Sequence, residues 1–261
     1  MYRLSGEERR RNQGKVKLPV LFSRFVQPVR MVIFPSLCKI CRRPLEGPEE
    51  KAVCSECLMG VEVHRGPVCP VCGRFLFYKN AASFCCFECQ TKKPSFSRHR
   101  SLGPYTGRLK EMIILFKYKE YEILSRPLAA LLYENFGSGN GLFSEIDFIL
   151  SVPLYPRKER ARGFNQAESL ARQLSKLSGL PVLNRTLVKI KNTPAQVSLE
   201  AKERELNLRG AFAVRKQGKI RGRKLLLIDD VFTTGTTVSE CAAVLHKAGA
   251  KEIRALTLAR A

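Results

Sequence analysis

The chain has no tryptophan, only three histidines and four methionines, and only 23 acidic residues to set against 46 lysines and arginines. With His64, His99 and His246 as the whole supply, a histidine-based nucleophilic mechanism has little material. There is no G-x-x-x-x-G-K-[ST] phosphate loop and no H-E-x-x-H metalloprotease pair, which removes the two commonest short motifs for nucleotide hydrolysis and zinc proteolysis. Long apolar runs are also missing. The most apolar early stretch, Leu18 to Leu37, is broken by Arg24, Pro28, Arg30 and Pro35, whereas a spanning helix needs about 20 nearly uninterrupted apolar residues. No small-residue cleavage site follows it, so it does not read as a signal peptide. An amphipathic helix with Leu21, Phe25, Val29 and Val32 on one face is the expectation there. The protein is expected to be cytoplasmic, with no integral membrane span.

What is abundant is positive charge. The formal net charge is +23 over 261 residues, and a polyanionic partner is the first class of ligand it suggests. The excess is not a tail: residues 96–261 carry 29 basic against 15 acidic side chains. A basic surface on a folded domain is therefore expected, with a merely solubilising surface as the plain alternative.

Ten cysteines occur, nine of them between Cys38 and Cys89. Eight form four C-x-x-C pairs: Cys38 and Cys41, Cys54 and Cys57, Cys69 and Cys72, Cys86 and Cys89. Two thiolates at this spacing sit in one tight knuckle and reach a common Zn²⁺ at about 2.3 Å; two knuckles complete a tetrahedron. The expectation is two zinc ribbons in series and two Zn²⁺, pairs one and two on the first metal and pairs three and four on the second. Interleaved pairing is the alternative. Disulfides of a secreted protein are the rival for the block as a whole. A segment this polar has little core, so metal coordination must supply its folding energy. His64 is a spare ligand or an ordinary exposed histidine, Cys85 competes with Cys86, and Cys241 lies in an apolar helical pattern that makes it a core residue.

From Phe96 onward the pattern changes to alternating helices and strands. Helices are predicted over Leu109 to Tyr121, Pro127 to Phe136, Ala167 to Leu177 and Thr236 to Lys247. Strands are predicted over Asp147 to Val152, Lys224 to Ile228 and Glu252 to Leu258. This alternation predicts an α/β domain with a doubly wound, mostly parallel sheet whose ligands bind at the carboxyl ends of strands. The organisation expected is a basic segment at 1–37, a double zinc ribbon at 38–95 and the α/β domain at 96–261.

The run from Leu225 to Thr237 carries the chemistry. An apolar strand delivers Asp229 and Asp230, and a loop of Thr233, Thr234, Gly235, Thr236 and Thr237 opens a helix. Backbone amides at a helix start, with threonine hydroxyls, make an anion cradle, and Gly235 lets the backbone come close to a phosphate. The carboxylates would repel that phosphate, so they should face ribose hydroxyls instead. The spacing describes a sugar with a phosphate at one end and a diol at the other.

At these residues the chain resembles the type I phosphoribosyltransferases, and more closely the ComF family of competence proteins. The likeness is carried by Ser151-Val-Pro-Leu154, Arg160-Ala-Arg-Gly-Phe-Asn-Gln166, Asn192-Thr-Pro-Ala-Gln196, Glu203-Arg-Glu-Leu-Asn207, Gly210-Ala-Phe212, the Leu225 to Thr237 run and Gly249-Ala250, with Tyr105 and Phe116-Lys-Tyr118 upstream. The resemblance implies a type I phosphoribosyltransferase sheet behind the double ribbon. It implies phosphoribosyl pyrophosphate with Mg²⁺ as ligand. Asp229 and Asp230 would hold the ribose hydroxyls, in part through Mg²⁺, and Thr233 to Thr237 the 5′-phosphate. Ser151, Val152, Pro153 and Leu154 would form the pyrophosphate loop with Arg157 or Arg160 nearby, and Asn192 to Asn207 a loop closing over the ligand. It also implies single-stranded DNA and a helicase-like ATPase as partners in natural transformation. Two functions follow: a DNA-handling competence protein that keeps a sugar-phosphate site, favoured by the +23 charge, or an active phosphoribosyltransferase of nucleotide metabolism or salvage. No nucleobase pocket is identifiable from the sequence.

Overall fold

A computed structural model describes residues 36–45, 52–76, 85–139, 141–193 and 208–261. The helix expected around Leu21 to Val32, and most of the loop expected from Asn192 to Asn207, lie outside these.

Two short cysteine knuckles open the described chain, each closed by one antiparallel bridge, Leu37 to Pro44 and Val68 to Phe75. Each is followed by a one-turn helix bearing the second pair: α1 (Ser55–Met59) and α2 (Phe87–Thr91). The α/β domain follows as β1 (Arg98–Pro104), α3 (Gly107–Leu115), a 3₁₀ turn at Lys119–Leu124, α4 (Ser125–Phe136), β2 (Phe148–Ser151), α5 (Pro156–Arg162) and α6 (Gln166–Ser178). Then come β3 (Leu187–Lys189), β4 (Phe212–Val214), β5 (Lys224–Phe232), α7 (Thr236–Lys247) and β6 (Glu252–Arg260). Among the described residues no helix is long and apolar enough to cross a membrane.

The main sheet runs β1-β6-β5-β2 and every pairing is parallel. Val182 adds a parallel bridge outside β2. Side chains alternate across the central strand, as a pleat requires. Leu226 and Ile228 face α3, α4 and α6, meeting Leu109, Met112, Leu128, Leu132, Leu170 and Leu174. Leu225 and Leu227 face α7, meeting Val238, Cys241, Ala242 and Leu245. With both faces covered, the strands read as continuous apolar runs. The doubly wound parallel sheet expected from the sequence is the sheet observed. β3 and β4 form a separate antiparallel hairpin.

Several element ends differ from expectation, two of them with consequences for the core and the site. The helix expected from Leu109 to Tyr121 stops at Leu115 and resumes as the 3₁₀ turn after an extended Tyr118. Its apolar spacing carries across the break because Phe116 and Leu124 both reach the same core. Phe116 is fully buried against Phe164, with ring centroids 5.6 Å apart. β5 continues four residues past Ile228, because β6 pairs with it as far as Phe232 opposite Arg260. The two aspartates thus lie within the strand.

Candidate functional site

In an open parallel sheet, ligands bind beyond the carboxyl ends of the strands where the winding reverses. After β2 the chain winds outward to Val182; after β5 it winds the other way to β6. The reversal falls between β2, which ends at Ser151, and the last part of β5, which carries the two aspartates.

On the β2 side, Val152 donates its N–H to the Ile228 carbonyl at 2.9 Å, which lashes the loop to β5. Asn165 then performs two tasks. Its Oδ1 caps α6 by accepting from the amides of Ala167 (3.0 Å) and Glu168 (3.4 Å), and its Nδ2 donates to the Val152 carbonyl at 3.1 Å. A polar N-cap is thereby also the tie that shapes the Ser151 to Leu154 loop. Arg160 is exposed on α5, while the neighbouring Arg162 is half-buried and bonded to Gln166 at 3.1 Å.

On the β5 side the pleat separates the two carboxylates. Asp229 follows Leu225 and Leu227 onto the α7 face, and Asp230 follows Leu226 and Ile228 onto the other. Their electrostatic neighbours agree. Burial, then the adjacent Asp230 carboxylate, pushes the Asp229 carboxyl well above the usual range, and Lys189 partly opposes this. Burial, then the Asp230 charge, raises the Tyr105 phenol. Each carboxylate also accepts a backbone amide, Asp230 N–H on Asp229 Oδ1 at 2.9 Å and Val231 N–H on Asp230 Oδ1 at 2.7 Å.

The threonine loop leads straight into α7. Gly235 is its N-cap residue with φ +78, a left-handed conformation that side chains rarely adopt. The Thr234 and Thr236 hydroxyls lie 2.8 Å apart. The Thr236 amide donates to the Thr234 hydroxyl at 3.4 Å, so two hydroxyls and a helix start lie together, and a helix N-terminus favours an anion. Lys189, on the β3–β4 hairpin, had no sequence signal beyond being one lysine among many. It is half-buried, its ammonium 5.4 Å from the centroid of the Phe212 ring, and burial lowers its pKa while Asp229 opposes that. Lys158 donates to the Thr193 carbonyl at 2.7 Å and adds a second unanticipated cation to this side.

The cysteines gather as two clusters, Cys38, Cys41, Cys54 and Cys57, and Cys69, Cys72, Cys86 and Cys89, each with its sulfurs within 4.8 Å of one another. A tetrahedron at about 2.3 Å from zinc has sulfur–sulfur edges of roughly 3.8 Å. The observed separations match: 3.8 Å for Cys38 to Cys57, 3.6 Å for Cys41 to Cys54 and 3.5 Å for Cys72 to Cys86. Both sites fit Zn²⁺. Burial raises the Cys69 thiol, but the backbone amides of Cys86, Cys72 and Val71 more than offset it, leaving it at about 6, whereas burial pushes the Cys86 thiol of the same cluster up to about 11. Cys85 and His64 stand outside the clusters; His64 lies against Phe75 with ring centroids 4.0 Å apart. Cys241 is buried in α7, as expected.

The comparisons with known proteins meet this geometry at both ends. A double zinc ribbon domain matches residues 29–90, and a phosphoribosyl transferase domain matches residues 160–261. The Haemophilus influenzae protein named Competence protein F is 33% identical over 88% of this chain and 100% of its own length. The chain belongs to the ComF family of competence proteins. Its relatives include a Salmonella typhi protein named DNA utilization protein YhgH, 33% identical over 88% of this chain and 99% of the relative. Another is the Streptococcus pneumoniae Competence protein ComFC, 29% identical over 81% and 89%. Among solved structures, a Bacillus subtilis glutamine phosphoribosylpyrophosphate amidotransferase matches 52% of this chain and 26% of its own at 18% identity. Its TM-score is 0.36, too distant to add to the strand order and the domain match.

Proposed function

We propose that this ComF-family chain binds phosphoribosyl pyrophosphate in the crevice between the ends of β2 and β5 and handles single-stranded DNA during its uptake or use. The observation that carries the first half is the strand–aspartate–threonine-loop–helix unit at the winding reversal, with Gly235 in a left-handed conformation at the helix start. The 5′-phosphate sits on Thr233 to Thr237. The ribose hydroxyls face the aspartates, and the pyrophosphate lies against Ser151 to Leu154. The aspartates are also the residues that would hold Mg²⁺, whose charge would offset that of the pyrophosphate. Lys189 and Lys158 add positive charge on the hairpin side.

The second half rests on charge and on exposed aromatics. The relatives' names tie them to competence and to DNA use. Here the folded domain carries the basic excess, and two aromatic rings stand in solvent beside lysines. Tyr118 is 57% exposed between Lys117 and Lys119, and Phe87 is 75% exposed on α2, shortly before Lys92 and Lys93. Cations that track phosphates, with rings on which bases stack, are the usual means of holding a single strand without reading its sequence. The helicase-like ATPase implied by the family is the partner this reading assigns. Calorimetry with phosphoribosyl pyrophosphate and Mg²⁺, run on wild type and Asp230→Ala, tests the site. Equal affinity in the two proteins would remove it from this position.

A further inference from the structure

The second ribbon is not appended to the α/β domain; it is built into the floor of the threonine loop. The link begins at the Cys72 carbonyl. It accepts two hydrogen bonds, from His99 Nδ1 at 2.8 Å and from the Arg260 guanidinium at 2.7 Å. His99 is fully buried, and its Nε2 lies 3.0 Å from the Thr257 hydroxyl. A carbonyl only accepts, so Nδ1 carries the proton; Nε2 faces the Thr257 hydroxyl, which also reaches the Ala259 carbonyl at 3.2 Å. The ring is therefore fixed in tautomer and orientation. It stacks on Phe232 at 3.9 Å between centroids and 20° between planes, and Arg260 covers the same ring at 4.7 Å. Phe96 meets Phe232 edge-on at 6.0 Å.

Phe232 in turn sets the loop. A Cβ placed on Gly235 would lie 2.4 Å from Phe232 Cζ, so the loop backbone rests directly on this ring. On the ribbon side, the Val71 carbonyl accepts the His99 amide at 2.7 Å. Gly73, at φ +67, brings its Cα so close that a Cβ would fall 2.7 Å from the His99 carbonyl. A cavity of about 420 Å³ lies between this ribbon and the loop, with Cys72, Cys86 and Cys89 on one wall and Thr233 to Thr236 on another. The first ribbon takes no part in this stack: Cys38, Cys54 and Cys57 pack with Leu109 and Met112 in the other apolar layer.

We propose that His99 is a positioning residue for the phosphate loop, transmitting the folded, metal-closed state of the second ribbon through Phe232 to Gly235. The ribbon's order is then part of the preorganisation of the phosphate cradle. This rests on reading the threonine loop as the ribose 5-phosphate site, and the experiment separates the two ideas. Wild type and His99→Gln, both full-length and zinc-saturated, are titrated calorimetrically with ribose 5-phosphate and separately with Mg²⁺-pyrophosphate, well below the melting temperature, with zinc counted by elemental analysis. His99 ligates no metal, so the variant should keep its full zinc content. Its affinity for ribose 5-phosphate should fall about tenfold, the scale of one lost hydrogen bond with its stacking partner loosened. Pyrophosphate, which uses the Ser151 loop, should bind as before. Arg260→Gln removes the second bond to Cys72 and serves in the same assay if His99→Gln does not fold. Unchanged ribose 5-phosphate affinity, or an equal loss for both ligands, overturns the brace and leaves the site reading standing. No ribose 5-phosphate binding by wild type overturns both.

Discussion

Gly235 abuts the Cζ tip of the Phe232 ring, with no room between them for a methyl group. Two costs therefore meet in Gly235→Ala. The residue is held at φ +78, where alanine is strained by about 1 kcal/mol or more. The ring it would strike is pinned by His99, Arg260 and Phe96 and has nowhere to swing. The loop must lift, so ribose 5-phosphate binding should weaken at least about tenfold, for roughly 1.4 kcal/mol. The variant should keep its helical and sheet content by circular dichroism. Wild-type affinity in a folded variant would show that the loop does not hold the phosphate.

Asp229 makes an opposite kind of prediction. Burial, then the Asp230 charge, raises its pKa in the folded protein, while in the unfolded chain it titrates near about 3.9. Between those values the folded state holds a proton that the unfolded state has released. Stability contributed by this group is therefore lost as pH rises through that window. Asp229→Asn removes the penalty. The ligand-free variant should melt higher than wild type at neutral pH, by about 2–4 °C for each kcal/mol relieved, with the gap closing towards pH 4. It should also bind phosphoribosyl pyrophosphate more weakly, having lost an anionic acceptor. A lower melting temperature at pH 7 would mean that the carboxylate is stabilising where it stands.

How much of this was legible in the sequence depends on whether the signal was local. The Leu225 to Thr237 run was readable because strand, aspartates, threonines and glycine are consecutive. The cysteine knuckles were readable because each pair is closed by its own spacing. The unreadable features are those made by residues far apart. His99 meets Phe232, and the Lys189 charge acts on Asp229, only because β1, β5 and the hairpin converge, and no pattern around a lone histidine or lysine records that. The end of β5 was misjudged for the same reason: two aspartates look like a stop, but β6 supplies partners beyond them. Phe87, next to Cys86, carries no signal in the sequence, and only its exposure marks it out.

The two metal sites should be separable. Elemental analysis of the purified protein should give two zinc ions per chain, from the two sulfur clusters. Cys54→Ser should give one. Because Cys54 and Cys57 share an apolar cluster with Leu109, Met112 and Ile113, the loss should also reach α3 and lower the melting temperature of the whole chain. The sheet, with its own core between α6 and α7, should survive. One zinc in wild type would mean that half of the ligand assignment is wrong.

Binding to single-stranded DNA should be sequence-tolerant and strongly salt-dependent. Lysines and arginines contact phosphates and carry no base code. Each phosphate neutralised should contribute about −0.7 to the slope of log K against log salt on a single strand. Phe87 and Tyr118 should behave differently from the lysines beside them. A ring that stacks on a base contributes about 1–3 kcal/mol, largely independent of salt. Phe87→Ala and Tyr118→Ala should therefore weaken binding about 5- to 150-fold without changing the slope, whereas Lys92→Ala and Lys93→Ala together should flatten the slope with a smaller loss at high salt. Fluorescence anisotropy of a labelled oligonucleotide between low and moderate salt measures both quantities for each variant. Neither ring is part of the buried core, so the variants should melt like wild type, and a loss of binding cannot be put down to unfolding. If the aromatic variants bind as wild type does while the lysine variants lose affinity, the strand is held by charge alone. If none of the four substitutions has an effect, the DNA path lies on another face of the basic domain.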